Sequence, residues 1–329
     1  MELRLLSSDD VSRALPMLEA IEAVKVAYAQ LSRGRVDLPL RSRIDVAEYQ
    51  GTALFMPAYI GSSGDLAVKI VSVFPHNVAQ GFPTIAAMVI VLDAKTGRPV
   101  AILEGASLTA IRTGAASGAA TDVLARPEAK VAAIFGSGAQ ARTQVEAVCS
   151  VRTIEHVRIF SLDPRAAQEM AANLAGRDPI PADVTVATSP AEAIAGADVI
   201  CTATTSKTPV FDGAGLKLGT HVNAIGSYTP TMQEVDAKTI TRALVVVDSK
   251  EAVLAEAGDL LVPIGRGEIT ADIVHAELGE ILNGDRLGRT SPEQITYFKS
   301  VGLAVQDAVA AGRALDRAKA LGLGQTISL

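Results

Sequence analysis

The stretch Lys130–Ala141, KVAAIFGSGAQA, restricts the fold of this chain more than any other. A short apolar run, Val131–Phe135, stops at Gly136-Ser-Gly138-Ala-Gln-Ala141, and a helical pattern continues from Gln140 to Cys149. Strand, glycine turn and helix in the spacing G-x-G-x-x-A match a dinucleotide-binding turn. Gly136 permits the tight turn, Gly138 lets a pyrophosphate approach the backbone, and Ala141 lets helix and strand pack closely. The N–H groups at the start of the helix, from Ser137, Ala139 and Gln140 onward, then face the phosphates.

What surrounds this turn is consistent with an enzyme of ordinary composition. The chain has 329 residues, enough for two domains, with 49% hydrophobic and 20% charged residues. A net charge of −6 and the lack of a basic run argue against a nucleic-acid partner. The start, MELRLLSSDDV, shows no apolar signal segment, and the longest apolar run, 85–92, is too short for a membrane span. A cytoplasmic location is expected. Cys149 and Cys201 read as buried thiols, and four scattered histidines have no ligand spacing, so no metal is expected.

Along the chain, residues 7–33 read as helix, divided at Pro16 and ended by Gly34. Strands are expected at 42–46, 51–56, 66–74, 84–93 and 100–104, close enough for an antiparallel or mixed sheet. An Ala-rich helix covers 109–124, and Arg126-Pro127 marks the passage to the next unit. From Val131, strands at 131–135, 156–160, 184–187, 198–202, 221–225 and 243–247 alternate with helices. This predicts an α/β fold with a Rossmann-type, doubly wound parallel sheet. Residues 251–283 read mainly as helices, and 294–321 as one helical segment.

Some charged residues stand out. Lys69 lies in the apolar run LAVKIVSVF and is either half-exposed or aimed into a site; Arg112 is either a surface ion-pair partner or an anion ligand. At the end of the second Rossmann strand, where a NAD site usually has an acid, Ser161 stands instead. Asp163 follows two residues later, and Arg165 is placed to meet a 2′-phosphate. Both NADH and NADPH stay open. Ala203, Thr204 and Thr205 follow a buried strand and are expected at the nicotinamide edge.

Several strings in order carry a resemblance: Pro39-Leu-Arg-Ser-Arg43, Ala67-Val-Lys69-Ile-Val, Phe74-Pro-His-Asn77, Gly81-Phe-Pro-Thr84, Thr109-Ala-Ile-Arg112-Thr-Gly, the glycine turn, Asn223-Ala-Ile-Gly-Ser-Tyr-Thr-Pro230 and Ser300-Val-Gly302. The chain resembles the ornithine cyclodeaminase/μ-crystallin family over nearly its whole length. The resemblance implies an α+β substrate-binding and dimerisation domain, 1–125 with 303–329, beside a Rossmann domain at 126–302. It implies a homodimer, and a cationic pocket of Arg43, Lys69 and Arg112 for an α-carboxylate, a role that suits the planar guanidinium. It also adds Thr84, Arg112, Ile225, Gly226 and Ser300 to the cofactor contacts.

Departures from the family pattern narrow the reaction. Cyclodeaminases carry an aspartate where this chain has Tyr228, and a glutamate just before a Met-Pro pair, where Leu54 precedes Met56-Pro57. Without those acids, handling a diamine is disfavoured. An NAD(P)H-dependent cyclic-imine reductase of proline metabolism is expected, acting on Δ1-pyrroline-2-carboxylate or Δ1-piperideine-2-carboxylate. Lys69, Tyr228 or a water would supply the proton. Ornithine cyclodeaminase, an amino-acid dehydrogenase such as alanine dehydrogenase, and a non-catalytic NADPH-binding protein are the alternatives. His76 reads as a loop or capping residue and Asp307 as structural.

Overall fold

The computed structural model describes residues 2–329 and divides the chain into two units, Met1–Arg112 with Leu303–Leu329, and Thr113–Gly302. The division falls inside a helix, ahead of Arg126-Pro127. The N-terminal part runs β1 (Glu2–Leu6), α1 (Ser8–Ala14), α2 (Met17–Leu31), β2 (Val36–Asp37), β3 (Ser42–Val46), β4 (Gly51–Ile60), β5 (Asp65–Val73), β6 (Ile85–Asp93) and β7 (Pro99–Glu104). The helix α3 (Gly105–Leu124) carries the chain across the division. Ser7 caps α1 with a reciprocal pair of hydrogen bonds to Asp10, and Pro16, unable to donate to a preceding turn, separates α1 from α2.

In the second unit, β8 (Val131–Phe135), α4 (Ala139–Val151), β9 (His156–Phe160), α5 (Pro164–Leu174), β10 (Val184–Val186), α6 (Pro190–Ile194), β11 (Val199–Thr202), β12 (His221–Ala224), α7 (Ala237–Arg242), β13 (Ala243–Val247), α8 (Lys250–Glu256), α9 (Gly258–Gly265), β14 (Val274–Glu277), α10 (Leu278–Leu282) and β15 (Ile295–Lys299) follow. All strand pairs are parallel, in the order β10-β9-β8-β11-β12-β15-β13-β14. The order reverses between β8 and β11, which opens the crevice where such sheets bind ligands. Along β8, Ala133 and Phe135 enter one apolar core while Ala132 and Ile134 enter another. Burial on both faces is why this strand is apolar at every position.

Two readings of the sequence are corrected here. Residues 294–299 are not helical: Ile295-Thr-Tyr-Phe-Lys299 is the fully buried strand β15 between β12 and β13. Its β-branched and aromatic residues suit a strand, but burial on both faces removes the alternation that would reveal one. Likewise β14 interrupts the helical stretch expected over 251–283.

Beyond Gly302 the chain returns to the first unit as α11 (Ala304–Leu321), closed by Gly322 at φ +66°, and β16 (Gln325–Ser328). The first sheet has the order β16-β1-β7-β6-β5-β4-β2, with β3 on β4. Its β1–β7 pair is parallel and the β3-to-β7 ribbon antiparallel. The buried Ala304, Ala308, Ala311 and Ala314 let α11 pack closely on β4, β5 and α2. Among the described residues, no helix is long and apolar enough to cross a membrane.

Candidate active site

Strand alternation decides where Lys69 points. Ala67 and Lys69 share the buried face of β5, and Lys69 lies opposite Met56 and Val89 on the neighbouring strands. Only 3% of Lys69 is exposed. The face is covered by α11, whose Asp307 is 1% exposed and meets Lys69 Nζ at 2.7 Å through Oδ2. The other oxygen of Asp307 accepts from Arg112 Nε at 2.9 Å, and Gln306 Oε1 accepts from Arg112 Nη1 at 3.2 Å. Two buried cations therefore share one carboxylate. Burial pushes the Lys69 ammonium down to about 8; Asp307 opposes the shift, while Arg112 and Arg41 add to it. An ammonium at that value is charged at neutral pH and still able to release its proton.

The third expected cation is not brought to this cluster. Arg43 projects at an exposed edge, with 62% of its side chain accessible, and its Nε donates to Asp45 at 2.8 Å. Arg41 is the nearer charge, since it is the one that bears on Lys69. It precedes β3 by one residue, so continuing the register places it on the row of Met56 and Lys69. Thr84 sits half-buried just before β6, in the first unit.

In the second unit the glycine turn has the shape a dinucleotide needs. Gly136 has φ +112°, and any side chain there would collide with the Ala203 carbonyl. Gly138 caps α4 without a side-chain bond, and a Cβ placed on it would meet nothing within 4 Å. Open space thus lies before the free N–H groups of Ala139 and Gln140. The residues present fit a pyrophosphate. Ser137 Oγ lies 3.0 Å from Ser161 Oγ. Asp163 Oδ1 accepts from the N–H groups of Arg165 and Ala166 at the start of α5.

The loops after β11 and β12 are tied together by Glu234, which no local pattern in the sequence marks. Glu234, fully buried, accepts from Thr202 Oγ1, Thr204 N, Thr204 Oγ1 and Gly226 N, at 2.6 to 2.9 Å. Burial, with Asp259 nearby, raises its pKa. A side chain on Gly226 would run into the Thr204 carbonyl and the Glu234 carboxylate. Ala203 and Thr204 are half-buried, Thr205 is exposed, and Ile225 is buried with its N–H on the Thr202 carbonyl. Tyr228 is 49% exposed. Ser300, expected to touch the cofactor, gives its hydroxyl to Asp248 at 2.8 Å; the same carboxylate oxygen takes the N–H groups of Val301 and Gly302. Ser300 therefore shapes its loop from within the protein. His76 lies in an exposed loop beside Gln50.

Asp307 reads from sequence only as structural, and Glu234 goes unmarked, because their partners are remote in sequence. Asp307 lies 195 residues from Arg112 and Glu234 lies 30 from Thr204.

The model of the ornithine cyclodeaminase/mu-crystallin family matches residues 1–321. The chain is 43% identical over 323 residues to a Δ1-pyrroline-2-carboxylate reductase of Bacillus cereus, covering 98% of each. Among solved structures it is similar to the Δ1-pyrroline-2-carboxylate reductase of Thermococcus litoralis in complex with NADH and L-proline. That match has TM-score 0.93 and 41% identity, over 98% of this chain and 100% of that one. It is also similar to an archaeal alanine dehydrogenase dimer with bound NAD, with TM-score 0.92 and 33% identity over the full length of both.

Proposed function

The chain belongs to the ornithine cyclodeaminase/mu-crystallin family, and on that premise we propose that it is an NAD(P)H-dependent reductase of cyclic imino acids. Its substrates would be Δ1-pyrroline-2-carboxylate, giving L-proline, or the six-membered Δ1-piperideine-2-carboxylate, giving L-pipecolate. One observation carries the carboxylate-binding part of this reading. Lys69 and Arg112 are buried together against a single carboxylate, Asp307, so the cluster keeps one positive charge in excess. A substrate with one carboxylate matches that excess.

Arg112 is anchored through Nε and Nη1, which fixes the plane of its guanidinium for a carboxylate. Lys69 Nζ holds the proton that makes the imine a good hydride acceptor, with the Tyr228 hydroxyl as the other candidate donor. The reduced nicotinamide, when bound, supplies the hydride to the C=N carbon. The turn 136–140 would hold its pyrophosphate, and Ala203–Thr205 with Ile225 and Gly226, locked by Glu234, would line its far end. No carboxylate stands in 226–230 to hold the second amine of a diamine, which counts against cyclodeamination.

The direct test is loss of reduced-nicotinamide absorbance with each cyclic imine. Rapid loss is expected. No loss with either imine, but ammonia release from ornithine or ammonia-dependent reduction of pyruvate, would replace this reading with cyclodeaminase or alanine dehydrogenase.

A homodimer is part of the proposal. The sheet face opposite Lys69 carries Phe55, Ile70 and Met88 in one cross-strand row, and Ile44 and Met88 on that face are exposed. An apolar sheet face of this kind favours a partner, and the similar archaeal alanine dehydrogenase is a dimer. Light scattering should give twice the chain mass, and Met88→Glu should shift it toward monomer.

A further inference from the structure

The end of β9 bears on which nicotinamide the protein prefers, a question that rests on the dinucleotide-binding reading above. A NAD site places a carboxylate after the second strand to accept from the ribose hydroxyls. Ser161 holds that position here, directly after Phe160. Its hydroxyl lies 3.0 Å from Ser137 of the glycine turn and accepts from Asp163 N at 3.2 Å.

The one acid of this loop, Asp163, is committed elsewhere. Its Oδ1 accepts from two N–H groups, Arg165 at 3.0 Å and Ala166 at 3.1 Å, as the cap of α5. Turning it toward a ribose would uncap the helix. Arg165, by contrast, is exposed, and its side chain has no ion pair or hydrogen bond among the described residues. Glu169, one turn further along α5, does not pair with it. Leu162, between Ser161 and Asp163, is 95% exposed and brings no charge. The loop therefore offers two hydroxyls and a free guanidinium, and withholds its carboxylate.

We propose that Ser161 and Arg165 form a subsite for the 2′-phosphate and that the protein prefers NADPH to NADH. The two serine hydroxyls would donate to phosphate oxygens, and Arg165 would supply the charge-assisted pair. NADH would meet neither the acid its ribose diol needs nor an anion partner for Arg165.

Equilibrium titration of the full chain with NADPH and with NADH, without substrate, tests this. NADPH should bind at least about tenfold more tightly, the scale of one charge-assisted contact. Arg165→Ala should narrow that ratio by about fivefold or more, and Ser161→Asp should shift it toward NADH by repelling the phosphate. Equal affinities, tighter NADH binding, or an Arg165→Ala ratio equal to that of the parent would each overturn the proposal. An NADPH preference without imine reduction would remove the reductase reading and leave the subsite standing. Imine reduction with an NADH preference would do the reverse.

Discussion

Lys69 and Lys299 are both buried in sheet strands, and both lie against an aspartate, yet their surroundings carry opposite charge. Lys69 shares Asp307 with Arg112. Lys299 meets Asp259 at 3.1 Å, donates to the Ala224 carbonyl, and has Glu234 as a second acid in the same cluster. The second cluster is completed by the protein. Asp259 takes the N–H groups of Glu234 and Val235, and Glu234 takes four donors of its own. Buried charge that the chain itself satisfies holds loops in place. The excess positive charge around Lys69 is the feature that the proposed carboxylate substrate would answer.

The strongest test of this contrast removes each lysine. Lys69→Ala should lower kcat/KM for imine reduction by about a thousandfold, within the range of general acid catalysis. Turnover equal to the parent's would dissociate Lys69 from the reaction. The same site should be tolerant in stability: Lys69→Met leaves Arg112 paired one-to-one with Asp307, so its thermal midpoint should equal or exceed the parent's. Lys299→Met should behave oppositely. It strands two carboxylates and should cost about 3 kcal/mol or more in denaturant unfolding. Similar stability changes at both sites would erase the comparison.

Acidity gives a further test at Lys69. With the Lys69 ammonium near 8, kcat/KM for imine reduction should fall about tenfold per pH unit above that point. Lys69→Arg should flatten the fall. Stability should move the other way. Between about 8 and the ordinary lysine value of 10.5 the unfolded chain holds more protons at this residue, so its contribution to stability rises with pH there. Below that window the cost of burying the charge is present in full.

Smaller effects are expected from the loop clamp and the sheet edge. Glu234→Gln replaces one acceptor oxygen with a donor facing N–H and O–H groups, and should weaken dinucleotide binding by about tenfold in the same titration. At the edge, Arg41→Ala should raise KM for the imino acid by about tenfold, whereas Arg43→Ala, already paired to Asp45, should change it by less than about twofold. The reverse order would restore Arg43 to the pocket.

What could be read from the sequence was local. The glycine turn, the helix break at Pro16 and the alternation after Val131 each depend on residues within a few positions of one another. Lys69 was singled out because a lysine inside LAVKIVSVF is locally out of place. Its partner was not, because Asp307 on an amphipathic helix looks like any polar residue, and only the packing of α11 on β5 gives it a role. The choice of Arg43 over Arg41 is a register question. Two arginines two residues apart share a face, and which one reaches Lys69 depends on where β3 pairs with β4. The β15 strand, Ile-Thr-Tyr-Phe-Lys, is hidden because burial on both faces removes the alternation of apolar and polar residues that marks a half-buried strand.

The return of α11 to the first sheet has a consequence for synthesis. Residues 113–302 form a contiguous unit, whereas the first unit is made of two segments far apart in sequence. Most strands of the first sheet are made earlier, but its edge strand β16 and its covering helix α11 come last. Until residue 307 has been added, Lys69 and Arg112 have no counter-charge, and the face that α11 covers stays wet. The Lys69–Asp307–Arg112 cluster can therefore form only as translation nears the final helix.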